Sequence, residues 1–317
     1  MSVDPYERFA ERYDLFFGSF ADHDPKKVEF FRELFTHHGV HSVLDCACGT
    51  GRDVHLFHSL GLDVCGSDIS PAMLAQAERN LATHHADAPL DEADYRELHL
   101  TYARDFDAVV CLSSSFFEMP DEVELRKAFA SMRGVLRDGG ILVLTAGMSD
   151  RTWMEKPRFI PEISRGDFTR LFVIDYLDQG ARFNVVDLHH DQTGQDMRVW
   201  NITYNRVYLR DNIEAALQSV GFHTNSFYGN YEFQPYDKEK SGMTIAVARK
   251  WPQISELPAL VLPFTGGIPS WRGERYEADE TRWLVYFARA DGIAGAGWMW
   301  SSNQWATLTW GVLAAGH

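Results

Sequence analysis

One segment organises the sequence, and it reads Val43-Leu44-Asp45-Cys46-Ala47-Cys48-Gly49-Thr50-Gly51-Arg52. A short apolar run ends in an acid and leads into a turn with two glycines, after which residues 52–60 have the spacing of an amphipathic helix. Glycine permits a tight turn beneath a ligand, and the helix that follows presents free amide groups at its N-terminus. The segment therefore predicts a strand, a ligand-binding turn and a helix.

Strands and helices alternate around this segment. A serine or aspartate followed by proline marks two helix starts, at Asp24-Pro25 and at Ser70-Pro71. Strands that alternate with helices predict an α/β fold with a doubly wound, Rossmann-like sheet. The predicted elements are, in chain order, a helix after residue 24, strands at 43–45 and 64–68, a helix after residue 70, a strand at 106–112, a helix at 125–136 and a strand at 141–144.

The alternation changes after residue 168. Five residues with a two-residue period predict one face of a strand: Trp200, Ile202, Tyr204, Arg206 and Tyr208. We interpret 168–210 as an antiparallel β insertion, followed by a helix that Asp211 caps and by a closing pair of strands. The main domain would then cover 1–250. Residues 251–317 form a C-terminal extension that holds seven of the nine tryptophans, and no motif assigns its role.

The composition narrows the classes of function. The 317 residues carry a formal net charge of −15, which argues against a nucleic-acid partner because such binding depends on lysine and arginine. No apolar run approaches the roughly 18 residues of a membrane span, and the N-terminus lacks the pattern of a secretion signal. The four cysteines fall in or beside predicted strands, as reduced core thiols do. We expect a cytoplasmic protein with a small-molecule substrate and no membrane partner, and we leave a homo-oligomer open.

Residues 45–51 resemble motif I of the class I S-adenosylmethionine (SAM)-dependent methyltransferases, a likeness that extends over about 6–250. A nicotinamide site would need G-x-G-x-x-G, and Ala47 stands at its first position. The resemblance implies SAM as cofactor, with Asp45 on the methionine amine and Asp68 on the ribose hydroxyls. The predicted cofactor residues are Asp45, Ala47, Gly49, Gly51, Arg52, Asp68, Ile69, Asp94, Tyr95, Cys111, Leu112 and Ser113.

A narrower likeness is to the glycine N-methyltransferases and the related sugar N-methyltransferases. It is carried by residues 106–121, by 228–236, and by Glu92-Ala93-Asp94-Tyr95, which resembles an adenine-binding turn. The resemblance implies that Asp94 accepts from the adenine amino group and that Tyr95 stacks on the ring. One departure concerns the substrate: the glycine enzymes carry an arginine where this chain has Thr145-Ala146-Gly147-Met148. Arg151 follows, but glycine itself is put in doubt as the acceptor.

The predicted substrate contacts are Tyr6, Tyr13, Ser115 and Arg206. Tyrosines near the N-terminus of related enzymes fold over the cofactor, and Ser115 follows the strand beside the expected methyl group. For each of the four, an ordinary packing or surface role is the alternative. Methyl transfer is an in-line displacement that needs alignment and exclusion of water, so no catalytic base is assigned. The adjacent histidine pairs lack the spacing of metal ligands, and no metal is predicted.

The sequence therefore predicts a SAM-dependent methyltransferase that acts on a small molecule, by N-methylation of an amine. An O-methyltransferase of a small metabolite and a non-catalytic SAM-binding module remain alternatives. Methylation of nucleic acid or protein is disfavoured by the acidic charge and by the absence of an Asn/Asp-Pro-Pro-Tyr loop.

Overall fold

The computed structural model describes residues 10–14, 19–191, 194–251, 259–262, 282–289 and 292–300. The chain divides into two compact units, Met1–Trp251 and Pro252–His317. The helices are α1 Ala10–Tyr13, α2 Pro25–His38, α3 Arg52–Ser59, α4 Pro71–Thr83, α5 Glu122–Gly134, α6 Asp150–Glu155 and α7 Arg210–Ser219. In the described residues, none of these is long and apolar enough to cross a membrane.

The strands form three sheets. The first unit contains β1 Ser42–Asp45, β2 Asp63–Asp68, β3 Leu90–Glu92, β4 Phe106–Cys111, β5 Leu136–Ala146, β6 Phe159–Arg165, β7 Phe168–Tyr176, β8 Ala181–Asp191, β9 Gly194–Tyr204, β10 Phe222–Tyr228 and β11 Thr244–Lys250. The second unit contains β12 Ala259–Leu262, β13 Arg282–Arg289 and β14 Gly292–Trp300, which form an antiparallel sheet in that order.

The large sheet has the strand order β10-β11-β5-β4-β1-β2-β3. The strands from β5 to β3 pair in parallel, and β11 pairs antiparallel with both β5 and β10. Helices connect the parallel strands, so the carboxyl ends of those strands meet at one edge, where ligands of such sheets bind. Asp45, Asp68 and Cys111 end β1, β2 and β4 and therefore lie along this edge.

Both faces of the large sheet are covered by helices. Successive residues of a strand point to opposite faces, so neighbours in β1 belong to different cores. Val43 packs in one core with Phe31 of α2 and Val54 of α3. Its neighbour Leu44 belongs to a second core that contains Phe129 of α5. All five side chains are fully buried. The predicted α/β fold is confirmed, and burial on both faces explains why these strands are continuous apolar runs.

β5 begins earlier than the sequence predicts. We placed residue 136 in a helix and the start of the strand at residue 141, but α5 stops at Gly134 and β5 starts at Leu136. Gly139 has a φ of +80°, and the pairing of β5 with β4 shifts beside it. The glycines therefore form an irregularity inside a strand, as glycine at a bulge does, and they do not end the helix.

The antiparallel insertion spans 159–204, where 168–210 was predicted. Its first strand was missed because Pro161 interrupts the alternating pattern. β6 is an edge strand, and its register shifts between Pro161 and Ile163, so the missing N–H of proline is tolerated there.

The chain leaves the insertion after Tyr204, so Arg206 and Tyr208 do not continue the strand face predicted for them. Tyr208 is fully buried, and its hydroxyl donates to the carbonyl of Met119 at 2.9 Å. Helix α7 then begins at Arg210. Asp211 therefore lies in its first turn and is not the cap that we predicted.

Candidate cofactor site

A cleft opens at the carboxyl edge of β1 and β4. It brings together several of the predicted cofactor and substrate residues, although they come from distant parts of the chain. The lining residues are Tyr13, Lys27, Asp45, Ala47, Cys48, Gly49, Thr50, Arg52, Asp53, Leu112, Ser113 and Ser115.

The loop after β1 is held by the carboxylate that ends β2. Asp68 accepts hydrogen bonds from the backbone amides of Gly49 at 2.8 Å and Ser70 at 2.9 Å. Gly49 and Gly51 have φ values of +53° and +83°, which explains the need for glycine at both positions. A Cβ on Gly51 would lie 3.1 Å from Ala77 Cβ, whereas a Cβ on Gly49 would meet Tyr13 Cε1 at 3.9 Å. Gly51 therefore serves the packing of α4, and Gly49 keeps the cleft open.

Asp45 contributes a buried carboxylate to the cleft. It is 2% exposed, and its Oδ1 accepts a long hydrogen bond of 3.4 Å from the amide of Ala47. Burial, reinforced by the neighbouring carboxylate of Asp53, raises the pKa of Asp45 well above its ordinary value. A buried carboxylate is stabilised by a cation. The ammonium of the methionine end of SAM fits this requirement.

The turn after β4 lies beside this loop and has a left-handed backbone. Ser113 and Ser114 have φ values of 55° and 68°. Ser113 donates its amide to Thr145 Oγ1 at 2.8 Å, and Ser114 donates its amide to the carbonyl of Thr145 at 2.8 Å. Such a backbone persists only where surrounding contacts hold it, and here the end of β5 does so. Ser113 and Ser115 are thereby fixed in the wall of the cleft.

The segment that precedes α2 is fastened to the cleft. Arg52 donates its guanidinium to the carbonyls of Ser19 at 2.8 Å, Phe20 at 2.6 Å and Asp22 at 2.5 Å. Thr50 donates its hydroxyl to Asp14 at 2.5 Å, next to Tyr13. Tyr13 therefore lies against the cofactor loop, and the side chain of Arg52 holds protein backbone at the edge of the cleft.

The predicted adenine contacts lie outside the lining of this cleft. Arg96 donates to both carboxylate oxygens of Asp94, from Nε at 3.0 and 2.9 Å and from Nη2 at 2.5 Å. Burial alone would raise the pKa of Asp94, but these hydrogen bonds outweigh it and lower the pKa. Tyr95 donates its hydroxyl to the carbonyl of Ser115 at 3.1 Å. Ile69, which follows β2, is 60% exposed.

Arg206 and Cys111 are placed differently from the prediction. Arg206 forms an ion pair with Glu122 at 2.6 Å and is absent from the lining of the cleft, because the chain turns away after β9. Cys111 is fully buried in the core, so its side chain does not reach the cleft. Tyr6 lies outside the described residues.

Sequence reasoning missed four lining residues, Lys27, Cys48, Thr50 and Asp53. Cys48 and Thr50 lie within the motif that we quoted. Lys27 belongs to no motif, and the packing of the apolar face of α2 brings it to the edge of the sheet. Among the described residues, no group of three or more His, Cys, Asp or Glu side chains is arranged to hold a metal ion.

Known proteins are similar to this chain over most of the first unit. A family described as a methyltransferase domain matches residues 43–140. The glycine/sarcosine N-methyltransferase of Aphanothece halophytica is 30% identical over 258 residues, which cover 77% of this chain and 89% of that protein. The glycine/sarcosine N-methyltransferase of Parasynechococcus marenigrum is 39% identical over 150 residues, 46% of this chain. That match, like several others, spans about half of the relative's length.

A solved structure adds to this similarity. The sugar N-methyltransferase KedS8 from a Streptoalloteichus species has a TM-score of 0.60 and 26% identity, and the alignment covers 76% of this chain and 93% of that structure. The glycine turn after β1 and Asp68 at the end of β2 match the motif predicted from the sequence. The chain therefore belongs to the class I SAM-dependent methyltransferases related to the glycine/sarcosine N-methyltransferases.

Proposed function

We propose that this protein transfers the methyl group of SAM to the nitrogen of a small amine. The relatives named above methylate nitrogen, by their names, in glycine, sarcosine or a sugar. The observation that carries the proposal is the position of the serine turn after β4. Ser113 and Ser115 line the same cleft as Asp45 and Gly49, so an acceptor held by the serine turn would lie next to the methionine end of the cofactor.

When bound, SAM supplies a methyl group attached to a sulfonium, and the leaving group is a neutral thioether that needs no proton. The residues of the chain then have to bind the cofactor and the acceptor, orient them and exclude water. Orientation lowers the reaction barrier by about 7 to 11 kcal/mol in favourable intramolecular models. Asp45 would hold the methionine amine and Asp68 the ribose hydroxyls. Ser113 and Ser115 would position the acceptor, and Tyr13 would cover the reacting atoms.

Aromatic side chains of the antiparallel sheet pack against the turn after β4. The ring of Tyr204 meets Phe117 and Phe183 edge to face, with centroids 5.6 Å apart in both pairs. Burial, with the charge of Glu118, raises the pKa of Tyr204, so its hydroxyl stays neutral. We propose that this aromatic cluster lies beside the acceptor, where low hydration favours a neutral amine over an ammonium. The neutral amine is the nucleophile that methyl transfer requires.

The class of amine depends on whether the acceptor carries a carboxylate. Residues 145–148 contain no cation, but Arg151 follows in α6. Its Nε is buried and has no hydrogen-bond partner among the described residues. We propose an amino acid such as glycine or sarcosine as the acceptor, with Arg151 as the cation for its carboxylate. An amino sugar is the second candidate, because KedS8 acts on a sugar nitrogen by its name.

The test is incubation with methyl-labelled SAM and, separately, glycine, sarcosine, dimethylglycine or an aminopentose. Methylated amine and S-adenosylhomocysteine (SAH) should form together. If sarcosine is accepted, Arg151→Ala should raise its KM by about 10-fold or more, the loss expected for a charged hydrogen bond. Methylation of the aminopentose alone would favour the sugar. Products methylated on oxygen would contradict N-methylation, and SAH binding without turnover would favour the non-catalytic module.

We also propose a cytoplasmic location. It is supported by the four cysteines, which are buried and free, as expected in a reducing compartment. A homo-oligomer remains a proposal, which sedimentation of the full chain with and without SAH tests. The role of residues 251–317 stays unassigned.

A further inference from the structure

The methionine end of SAM carries an ammonium and a carboxylate, so it requires both an anion and a cation from the protein. Asp45 offers the anion, as described above. Two of the residues that line the cleft are cationic, Lys27 and Arg52. The question is which of them meets the carboxylate.

Arg52 is directed at the protein itself. Its Nη1 donates to the carbonyls of Ser19 and Phe20, and its Nη2 donates to the carbonyl of Asp22. A guanidinium has five N–H donors in a fixed plane, and these contacts turn that plane toward the segment before α2. Moving Arg52 onto a ligand would release this segment from the edge of the cleft.

Lys27 is placed differently. Its Nζ lies 2.6 Å from Asp53 Oδ1, and its side chain is 18% exposed. The same Nζ is 6.0 Å from the centre of the Tyr231 ring. An ammonium has three N–H donors, so the contact with Asp53 leaves others for a ligand in the cleft.

The charge of Lys27 is secure although the side chain is partly buried. Burial alone would lower the pKa of Lys27, but the carboxylate of Asp53 outweighs it and raises the pKa above the ordinary value of lysine. Asp53 therefore keeps the ammonium charged and fixes its position.

We propose that Lys27 binds the carboxylate of the methionine end of SAM, while Asp45 binds its ammonium. Asp53 acts as a positioning residue for Lys27. The proposal rests on SAM being the cofactor of the proposed function, and it assigns a role to a residue outside the glycine motif.

The test compares two ligands that differ only in this carboxylate, SAH and decarboxylated SAH, by calorimetry on the full chain. Lys27→Met should weaken SAH binding by about 10- to 100-fold, as expected when a charged hydrogen bond is lost. It should change the affinity for decarboxylated SAH by less than about 2-fold, since that ligand has no carboxylate for Lys27 to bind. Lys26→Met is the matched control, because Lys26 is the adjacent residue and pairs on the surface with Glu232. It should leave both affinities unchanged.

A second variant separates a lost contact from a new repulsion. Lys27→Met leaves Asp53 uncompensated, so the double variant Lys27→Met/Asp53→Asn is measured as well. Its affinity for SAH should still be lower than that of the wild type. Recovery of wild-type SAH affinity in the double variant would overturn the proposal, as would equal losses for both ligands or no loss at all. Wild-type protein that binds SAH in this way but methylates no amine would overturn the proposed function and leave the role of Lys27 standing.

Discussion

Asp68 serves both the fold of the loop and the site. Its carboxylate holds the amides of Gly49 and Ser70, and each of its oxygens can accept further hydrogen bonds from ribose hydroxyls. We expect Asp68→Ala to weaken SAH binding by about 1 to 3 kcal/mol. Asp68→Asn keeps one acceptor oxygen and should lose less. Calorimetry with SAH measures both, and an unchanged dissociation constant for Asp68→Ala would remove this residue from the ribose role.

Substitutions at the two glycines of the turn, Gly49 and Gly51, should have different effects on stability and on cofactor binding. Both have positive φ, so an added side chain strains the backbone by about 1 kcal/mol or more at either position. Gly51→Ala also forces a contact of 3.1 Å with Ala77, and it should mainly lower the free energy of unfolding. Gly49→Val projects into the cleft and should reduce SAH affinity more than Asp68→Ala does. Urea unfolding and SAH titration of both variants check this, and identical profiles would contradict it.

Among the elements, β7 and β8 share a fully buried ion pair. Arg170 Nε and Nη2 lie 2.5 and 2.7 Å from the two carboxylate oxygens of Asp187, and both side chains are 0% exposed. Asp187→Ala should lower the free energy of unfolding by about 3 to 5 kcal/mol, because it leaves a buried charge uncompensated. Arg170→Met/Asp187→Leu should be close to wild type in urea unfolding. A single variant as stable as the wild type would show that the pair is dispensable.

The loop before α2 makes stability depend on pH. His23 Nε2 lies 2.8 Å from His55 Nδ1 of α3. Burial, with the charge of Arg52, lowers the pKa of His23 to about 4, so the unfolded chain binds this proton more tightly than the folded protein does. The contribution of neutral His23 to the free energy of unfolding is therefore present above pH ~6.5 and is lost as the pH falls toward ~4.

His23→Gln should flatten this dependence. The free energy of unfolding of wild type and variant, measured at several pH values across that window, should converge on the acidic side. Equal slopes for the two proteins would mean that other groups carry the acid sensitivity.

For the molecule as a whole, we expect the first unit to be sufficient for cofactor binding. All lining residues of the cleft precede residue 116, and the large sheet closes with β11 at Lys250. A chain that ends after Trp251 should unfold cooperatively and bind SAH with the affinity of the full chain. Thermal unfolding and calorimetry test this. Loss of folding or affinity would show that residues 252–317 support the first unit.

Short sequence patterns predicted much of the candidate site, and the predictions that differ from the structure concern residues outside a complete pattern. Asp45, Gly49 and Asp68 were predicted because the glycine turn and the acid at the end of the next strand form a recognisable motif. Arg206 was assigned to a strand face because its period continued after β9 had ended. Lys27 gave no signal in the sequence, since a lysine in the first turn of a helix is common at any surface.

Local order along the chain was sufficient to establish the strand, turn and helix around Gly49, because glycine conformation and apolar spacing depend on neighbouring residues. Packing was required to bring Lys27 beside Asp53, to direct Arg52 at Ser19, Phe20 and Asp22, and to bury Cys111. These contacts join residues far apart in sequence. They depend on how α2 and α3 pack on the sheet, which no short run of residues encodes.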